Sequence, residues 1–501
     1  MSSRTGPASP PTPRTYSRRA SLVVLCAGTL MTVLDGNVVT VALPAIQEDL
    51  GFSAAGLAWV VNAYLIPFGG LLLLAGRLGD LVGRRRMFTA GLAVFTAASV
   101  LCGVATGPAV LVAARALQGV GGAMTSAVVL GMLVSLFPGD REQGRAIAVF
   151  SAVGAAGGAL GTFLGGALTQ ALGWHWIFLI NLPIGVLAWA AALRILAPDR
   201  PDRGAGVGRG ADHPGAALVT GALMLTVYTI VGAGDRPLGG TLALGALGAL
   251  ALALFAGFTV RQARAARPLL RLRLFRSRTL TSANAVQVLM IAGMYGFQYI
   301  GALYLQRVLG YSELLTGTAF LPAPVAIGVL MLTLSARTVA RFGPYRVLLA
   351  GLTLVTAGLA LLGRAPVDGS YAVDVLPALL LLSAGFAAAM PAVTGLAMSG
   401  ARPEDAGLAS GLFNTTQVVG GSLGLAVLTT LAASRTEELT GAGEHVVTAT
   451  ADGYRRAFTV AAVIAATALT SAAVLLRPRP GSSTPAAEAE SGTHEVREAF
   501  N

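Results

Sequence analysis

The chain has 501 residues, 54% hydrophobic and 12% charged, with a mean hydropathy of +0.71 and a formal net charge of +12. Soluble domains carry about 25% charged residues, so lipid is the main solvent here, and the positive charge falls in short loops where arginine sets topology rather than on a nucleic-acid-binding surface. All 35 basic residues are arginine; a chain without lysine has no P-loop ATP motor and no Schiff-base chemistry, and no metal-ligand spacing of His or Cys appears, so no enzyme, organic cofactor or metal is expected.

The first apolar run, 21–44, is longer than a signal-peptide core and lacks a small-residue cleavage site, so it reads as a retained span. Thirteen further runs follow, at 57–79, 87–106, 109–137, 144–170, 176–196, 214–234, 239–261, 280–305, 315–336, 346–363, 374–399, 406–432 and 456–476. Each lies near the ~20 residues that a helix needs to cross a hydrocarbon core. With both ends in the cytoplasm, 28 of the 35 arginines lie inside and six outside (Arg236, Arg307, Arg364, Arg435, Arg455 and Arg456), leaving Arg115 within a span. That bias predicts an even number of spans, both termini cytoplasmic, in the cell membrane. The tails 1–19 and 478–501 are rich in Ser, Pro, Ala and charge and are expected to be disordered.

The stretch 76–86 recurs at 336–346: Arg77 aligns with Arg337, Gly83 with Gly343 and Arg86 with Arg346, while Asp80 becomes Ala340. The repeat predicts an all-α polytopic membrane protein of fourteen transmembrane helices. Residues 20–197 form an N-terminal six-helix half and 279–477 a C-terminal one, and 198–278 is a linker holding two additional helices. Repeated six-span halves are a transporter architecture, with the substrate between the halves.

Asp35 lies well inside the first span. An acid at the centre of a membrane helix costs roughly 2.5–3.5 kcal/mol on insertion scales, so it must face a polar cavity, pair with a cation or be protonated. Burial favours the protonated form and a neighbouring cation the ionised one; together they suit Asp35 to loading and releasing a proton. The competing reading is a fixed buried salt bridge. Arg115, in the fourth span, is the natural partner; its competing reading is snorkelling towards the interface. Gln118 sits one turn on, on the same face.

The Gly76–Arg86 stretch, with Gly76, Arg77, Gly79, Asp80, Gly83, Arg84 and Arg85, is expected to be a conformational gate; positive-inside topology alone accounts for its arginines but not for Asp80 or the glycines. The fifth span is dense in glycine, with Gly154, Gly157, Gly158, Gly161 and Gly165 expected to serve helix packing; Gly157, Gly161 and Gly165 recur every four residues and give one smooth face. Asn37, Gln118, Asn414 and Gln417 are expected to line a polar cavity, with interhelical bonding as the alternative for the last two. Trp174 and Trp176 read as an aromatic belt at the outer interface, Cys26 and Cys102 as small core residues. Pro67, Pro322, Pro324 and Pro391 should bend their spans.

These residues together resemble the major facilitator superfamily, and within it the fourteen-span drug/proton antiporter branch, over about residues 20–476. Gly76–Arg86 is similar to the family's loop motif, Arg115–Ala123 to its fourth-span motif, Leu34-Asp35 through Leu43-Pro44 to the first-span motif of the branch, and Trp174 through Pro183 is similar to it as well. The resemblance implies alternating access and export of amphipathic drugs or antibiotics against inward proton flow, by a monomer without cofactor. It also implies that Asp35 carries the proton, that Arg115 supports it and that Asp80 and its arginines control gating. Two positions depart from the pattern: Thr162 follows Gly161 where proline is usual, and Thr40 stands where Asn is common. No acid lies well inside spans nine to fourteen, so one proton per cycle is expected. A proton-coupled importer on the same fold and a transport-inactive sensor are the alternative functions.

Overall fold

The computed structural model describes residues 17–53, 56–137, 140–199, 212–234, 241–265, 268, 272–400 and 406–477. The expected disordered tails lie outside the described residues. Within them the chain is helical throughout, with no strand. That is what a bilayer demands, because backbone polar groups there must be satisfied within the helix.

A first set comprises α1 (Arg18–Leu50), α2 (Trp59–Val82), α3 (Arg84–Gly103), α4 (Pro108–Leu136), α5 (Asp140–Leu172), α6 (His175–Leu179) and α7 (Asn181–Ile195). A hairpin follows, α8 (His213–Gly234) and α9 (Thr241–Arg264). The last set runs through α10 (Arg278–Arg307), α11 (Glu313–Phe320), α12 (Pro322–Leu330), α13 (Ala336–Phe342), α14 (Pro344–Leu362), α15 (Leu376–Ser399), α16 (Ala406–Gly441) and α17 (Val446–Leu475). Eleven helical stretches among the described residues are long and apolar enough to cross a membrane.

Local chemistry sets the ends. Ser17, Ser277 and Ser312 each accept a hydrogen bond from the backbone N–H three residues on, an N-cap. Gly51 closes α1 in the left-handed conformation at φ 71°. Pro322 divides α11 from α12, and a π-helical turn at Met331–Ser335 bends the same span again.

Helix contacts recur between the first and last sets. Gly91 of α3 meets α4, where an added Cβ would lie 2.7 Å from the Thr125 amide; Gly351, 260 residues on, brings α14 equally close to the Ala389 amide of α15. Gly161 and Gly165 press α5 onto the Leu34 and Val38 carbonyls of α1, and Gly420 and Gly424 press α16 onto Val288 and Ala292 of α10. Gly83 and Gly343 both carry positive φ, 115° and 78°, at the N-cap of the next helix, where a side chain would be strained.

Side-chain contacts mark two faces. Arg18 at the start of α1 pairs with Glu142 at the start of α5, and Asp199, just past α7, reaches the α2–α3 turn, which marks the terminal face. Gln47 near the end of α1 meets Arg307 at the end of α10, and Arg307 reaches Tyr454 beside the α16–α17 turn, which marks the distal face. The α8–α9 hairpin packs outside the seam between α2 and α16, where Leu223 and Val227 meet Ile66 and Ala426.

Several expectations are corrected. Residues 433–455 are not an open loop: α16 continues to Gly441 and α17 begins at Val446. Their polar residues extend the helices beyond the lipid, where hydropathy is silent. Trp174 is not a lipid-facing anchor. It is buried, donates its Nε1–H to Asp49 Oδ2 at 2.9 Å and stacks on His175, while Trp176 stays exposed. Gly154 meets nothing within 4 Å and Gly158 only the Asn37 amide at 3.9 Å, so the packed face of α5 is Gly157, Gly161 and Gly165.

Candidate functional site

Asp35 stands in the middle of the 33-residue α1, and both it and Arg115 are sealed: 0% and 1% of their surfaces are exposed. Arg115 Nη1 donates to Asp35 Oδ2 at 2.6 Å. Asp35 Oδ1 accepts from Gln118 Nε2 at 2.7 Å and from Asn181 Nδ2 at 2.9 Å. Three donors thus converge on the two carboxyl oxygens, within the acceptor capacity of a carboxylate.

The guanidinium is equally well held. Its Nε donates to the Val60 carbonyl at 2.9 Å and its Nη1 also reaches Gln118 Oε1 at 2.8 Å. The Tyr64 ring lies 4.5 Å from the guanidinium carbon and Phe178 5.7 Å, cation–π distances on two sides. Behind these, Ser99 accepts from Gln118 and Asn181 and donates to the Phe178 carbonyl at 2.9 Å. Helices α1, α2, α3, α4, α6 and α7 thus converge on one ion pair. Taking two charges out of water costs several kcal/mol per ion, on the order recovered only when every remaining donor and acceptor is bonded. One site in this cluster is not: Asn181 Oδ1 is buried without a partner.

The expected site residues separate into three places. Asp35, Arg115 and Gln118 form one cluster, and Gln118 is corrected from cavity lining to a fully buried ligand of the carboxylate. Arg115 does not snorkel. Asn37, two residues from Asp35 and so on the opposite side of α1, accepts from Gln298 Nε2 of α10 at 2.8 Å and belongs to the junction between the two sets. Asn414 is exposed and Gln417 half-buried on α16, apart from the ion pair.

At the α2–α3 turn the Asp80 side chain lies outside the described residues. Gly76 is 3.9 Å from Ala127 by an added Cβ, Gly79 meets the Val128 side chain and Arg77 is exposed. The clamp on this turn is Asp199, which accepts from the Arg85 and Arg86 amides at 3.0 Å each and caps α3. Arg84 donates to the Gly131 carbonyl at 2.7 Å and Arg85 to that of Leu193. All these partners lie in the first set.

The two sets are joined elsewhere. Ser422 donates to Asn62 Oδ1 at 2.7 Å, Gln306 to the Val41 carbonyl at 2.9 Å, the Leu314 amide to Gln170 at 3.1 Å, and Arg307 to Gln47. With Asn37–Gln298, these contacts run along the distal half of the molecule.

Sequence reasoning did not single out Ser99, Asn181, Asp199 or Gln298. Asn181 had a usable signal: an amide inside an apolar span beside Leu182-Pro183.

Residues 25–425 match the model of the Major Facilitator Superfamily. The chain belongs to that superfamily. This superfamily member is 37% identical to a puromycin resistance protein of Streptomyces alboniger, over 95% of this chain and 93% of that one. It is 38% identical to a cephamycin export protein of Amycolatopsis lactamdurans over 85% and 87%, and 37% identical to a tetracenomycin C resistance and export protein of Streptomyces glaucescens over 83% and 76%. Its fold matches an auto-inhibited peptide transporter of the POT family (TM-score 0.65, 16% identity, 93% of this chain and 99% of that one) and a bacterial homologue of the lysosomal transporter Spinster in an inward-facing, occupied conformation (TM-score 0.63, 16% identity, 92% and 97%). It is a multi-pass membrane transporter and not an enzyme.

Proposed function

We propose that this chain exports amphipathic small molecules, antibiotics among them, in exchange for protons. Its working form is a monomer of fourteen transmembrane helices in the cell membrane, two six-helix halves flanking the α8–α9 hairpin, with both termini in the cytoplasm. The observation that carries the reading is the sealed Asp35–Arg115 pair, supported by the export functions named for its relatives.

In this arrangement the terminal face is cytoplasmic and the distal junction closes the outer side. The ionised Asp35 is held by Arg115, Gln118 and Asn181, which ties α1 to α4 and α7. A proton on Asp35 cancels the charge that Arg115 pairs with, and a carboxylic acid accepts fewer hydrogen bonds than a carboxylate. The tie then weakens, and α1 also carries Asn37, Val41 and Gln47 of the distal junction. Proton binding is thereby linked to opening of that junction, where substrate leaves. Release of the proton to the cytoplasm restores the pair. Asp80 and the arginines beside it act in gating at the α2–α3 turn.

Accumulation of a fluorescent amphipathic cation in everted membrane vesicles tests direction and coupling together. Export predicts uptake into energised everted vesicles that collapses with a protonophore. Uptake only in right-side-out vesicles would identify an importer, and no uptake in either a non-transporting sensor.

A further inference from the structure

The distal face holds a second concentration of charge that the Asp35 site does not use. Arg364, Arg435, Arg455 and Arg456 line one open cleft of about 720 Å³ between the end of α14 and the α16–α17 hairpin, with Asp452 and Thr459 among its walls. Asp452 fixes two of them, accepting from Arg435 Nε at 2.9 Å and from Arg455 Nη2 at 2.7 Å. Glu438 takes the Arg435 Nη1 at 3.0 Å. Arg364 and Arg456 are exposed and meet no acid among the described residues. Four guanidiniums thus face two carboxylates.

In the orientation proposed above this face is the outer one, where topology disfavours arginine. Four of the six arginines assigned to that side gather in this cleft, so topology does not account for them. The cleft also opens onto a lipid-facing stripe. On α17 the exposed positions run from Arg456 through Thr459, Val463, Thr467 and Thr470 to Val474, while the alanines of the opposite face are buried. Val463 is 60% and Val474 69% exposed. An anionic head in the cleft would leave an acyl chain lying along that stripe.

We infer that this cleft binds the phosphate group of an anionic phospholipid at the distal membrane surface. Guanidinium forks match phosphate oxygens two at a time. Arg364 and Arg456 supply the free forks, and Asp452 holds Arg435 and Arg455 side by side with part of their charge still uncancelled. A soluble phosphate would meet the same forks but gain nothing from Val463.

The test uses the purified full chain in a neutral detergent, with dioleoylphosphatidylglycerol, dioleoylphosphatidylcholine or inorganic phosphate added, read by native mass spectrometry and thermal unfolding. Phosphatidylglycerol is expected to bind and raise the melting temperature, more at low salt than at high. The R364Q/R456Q double variant is expected to keep the lipid-free melting temperature, since both side chains are exposed, and to bind phosphatidylglycerol about tenfold more weakly, the loss of roughly one charge-assisted contact. Equal responses to phosphatidylglycerol and phosphatidylcholine, or undiminished binding in the double variant, would overturn the proposal. Inorganic phosphate reproducing the whole effect would overturn the lipid source. These readouts report binding and not transport, so their failure leaves the exporter reading standing.

Discussion

The first and last sets of helices cross on the same glycines but bury different chemistry. In the register of those contacts, where Leu34 on Gly161 matches Val288 on Gly420 and Thr125 on Gly91 matches Ala389 on Gly351, Asp35 falls on Leu289 and Arg115 on Leu379. The last set's polar core is neutral: Thr416 donates to Asn284 Oδ1 at 2.8 Å and lies 3.2 Å from Gln287 Oε1, and Gln287 Nε2 is buried without a partner. Close packing is thus shared between the sets, and the ionisable pair belongs to one. A scaffold tolerates duplication, because helix contacts need only small residues in register. A buried charge needs a complete set of partners, and only α1–α7 supplies one.

The largest effect that would break this contrast comes from stranding the acid. Arg115→Ala leaves the buried Asp35 carboxyl without its cationic partner, at a cost of about 3–5 kcal/mol. The expected outcome is a large fall in melting temperature in detergent, partly reversed by Asp35→Asn in the same chain. A mild Arg115→Ala phenotype would mean that the pair is not the organising feature of the first set.

The shared scaffold is tested by Gly165→Ala and Gly424→Ala. Each drives a methyl group into backbone of the facing helix, and each is expected to cost about 1–3 kcal/mol, read as matched drops in melting temperature. A cost at one site only would undo the equivalence of the two crossings. Gln287→Leu is expected to change stability by less than about 1 kcal/mol, since it removes one weak contact and one unsatisfied amide.

The hairpin between the sets adds a smaller, pH-dependent effect. Burial alone would push the Asp212 carboxyl up, but hydrogen bonds from Arg261 at 2.5 Å, the Gly215 amide at 3.0 Å and Gln262 at 2.8 Å, with the Arg261 charge, outweigh it and hold the carboxyl below its ordinary range. A lowered carboxyl stabilises the fold above the unfolded-state value, and that contribution is lost as pH falls through the folded one. Hairpin protection from proteolysis should therefore persist through mild acid and fail in stronger acid, and Asp212→Asn should remove that pH dependence.

The sequence exposed what lipid makes expensive. Apolar runs located the helices, and Asp35 and Arg115 stood out as charges in the wrong solvent. Ser99 and Asn181 did not, because neutral polar side chains carry little cost until their partners are known, and those partners come from helices about 80 to 150 residues away. Trp174 was misread for the same reason, since its acceptor Asp49 is 125 residues distant. The polar extensions of α16 and α17 had no hydropathy signal to mark them.

The most direct test is a susceptibility panel comparing wild type with Asp35→Asn at matched expression and matched melting temperature. Asn keeps the size of the side chain but can neither carry the proton nor offer Arg115 a charge, which is why the melting temperatures must be matched. Loss of resistance, with loss of protonophore-sensitive efflux, is the predicted result. Unchanged resistance in the well-folded variant would contradict proton coupling through Asp35.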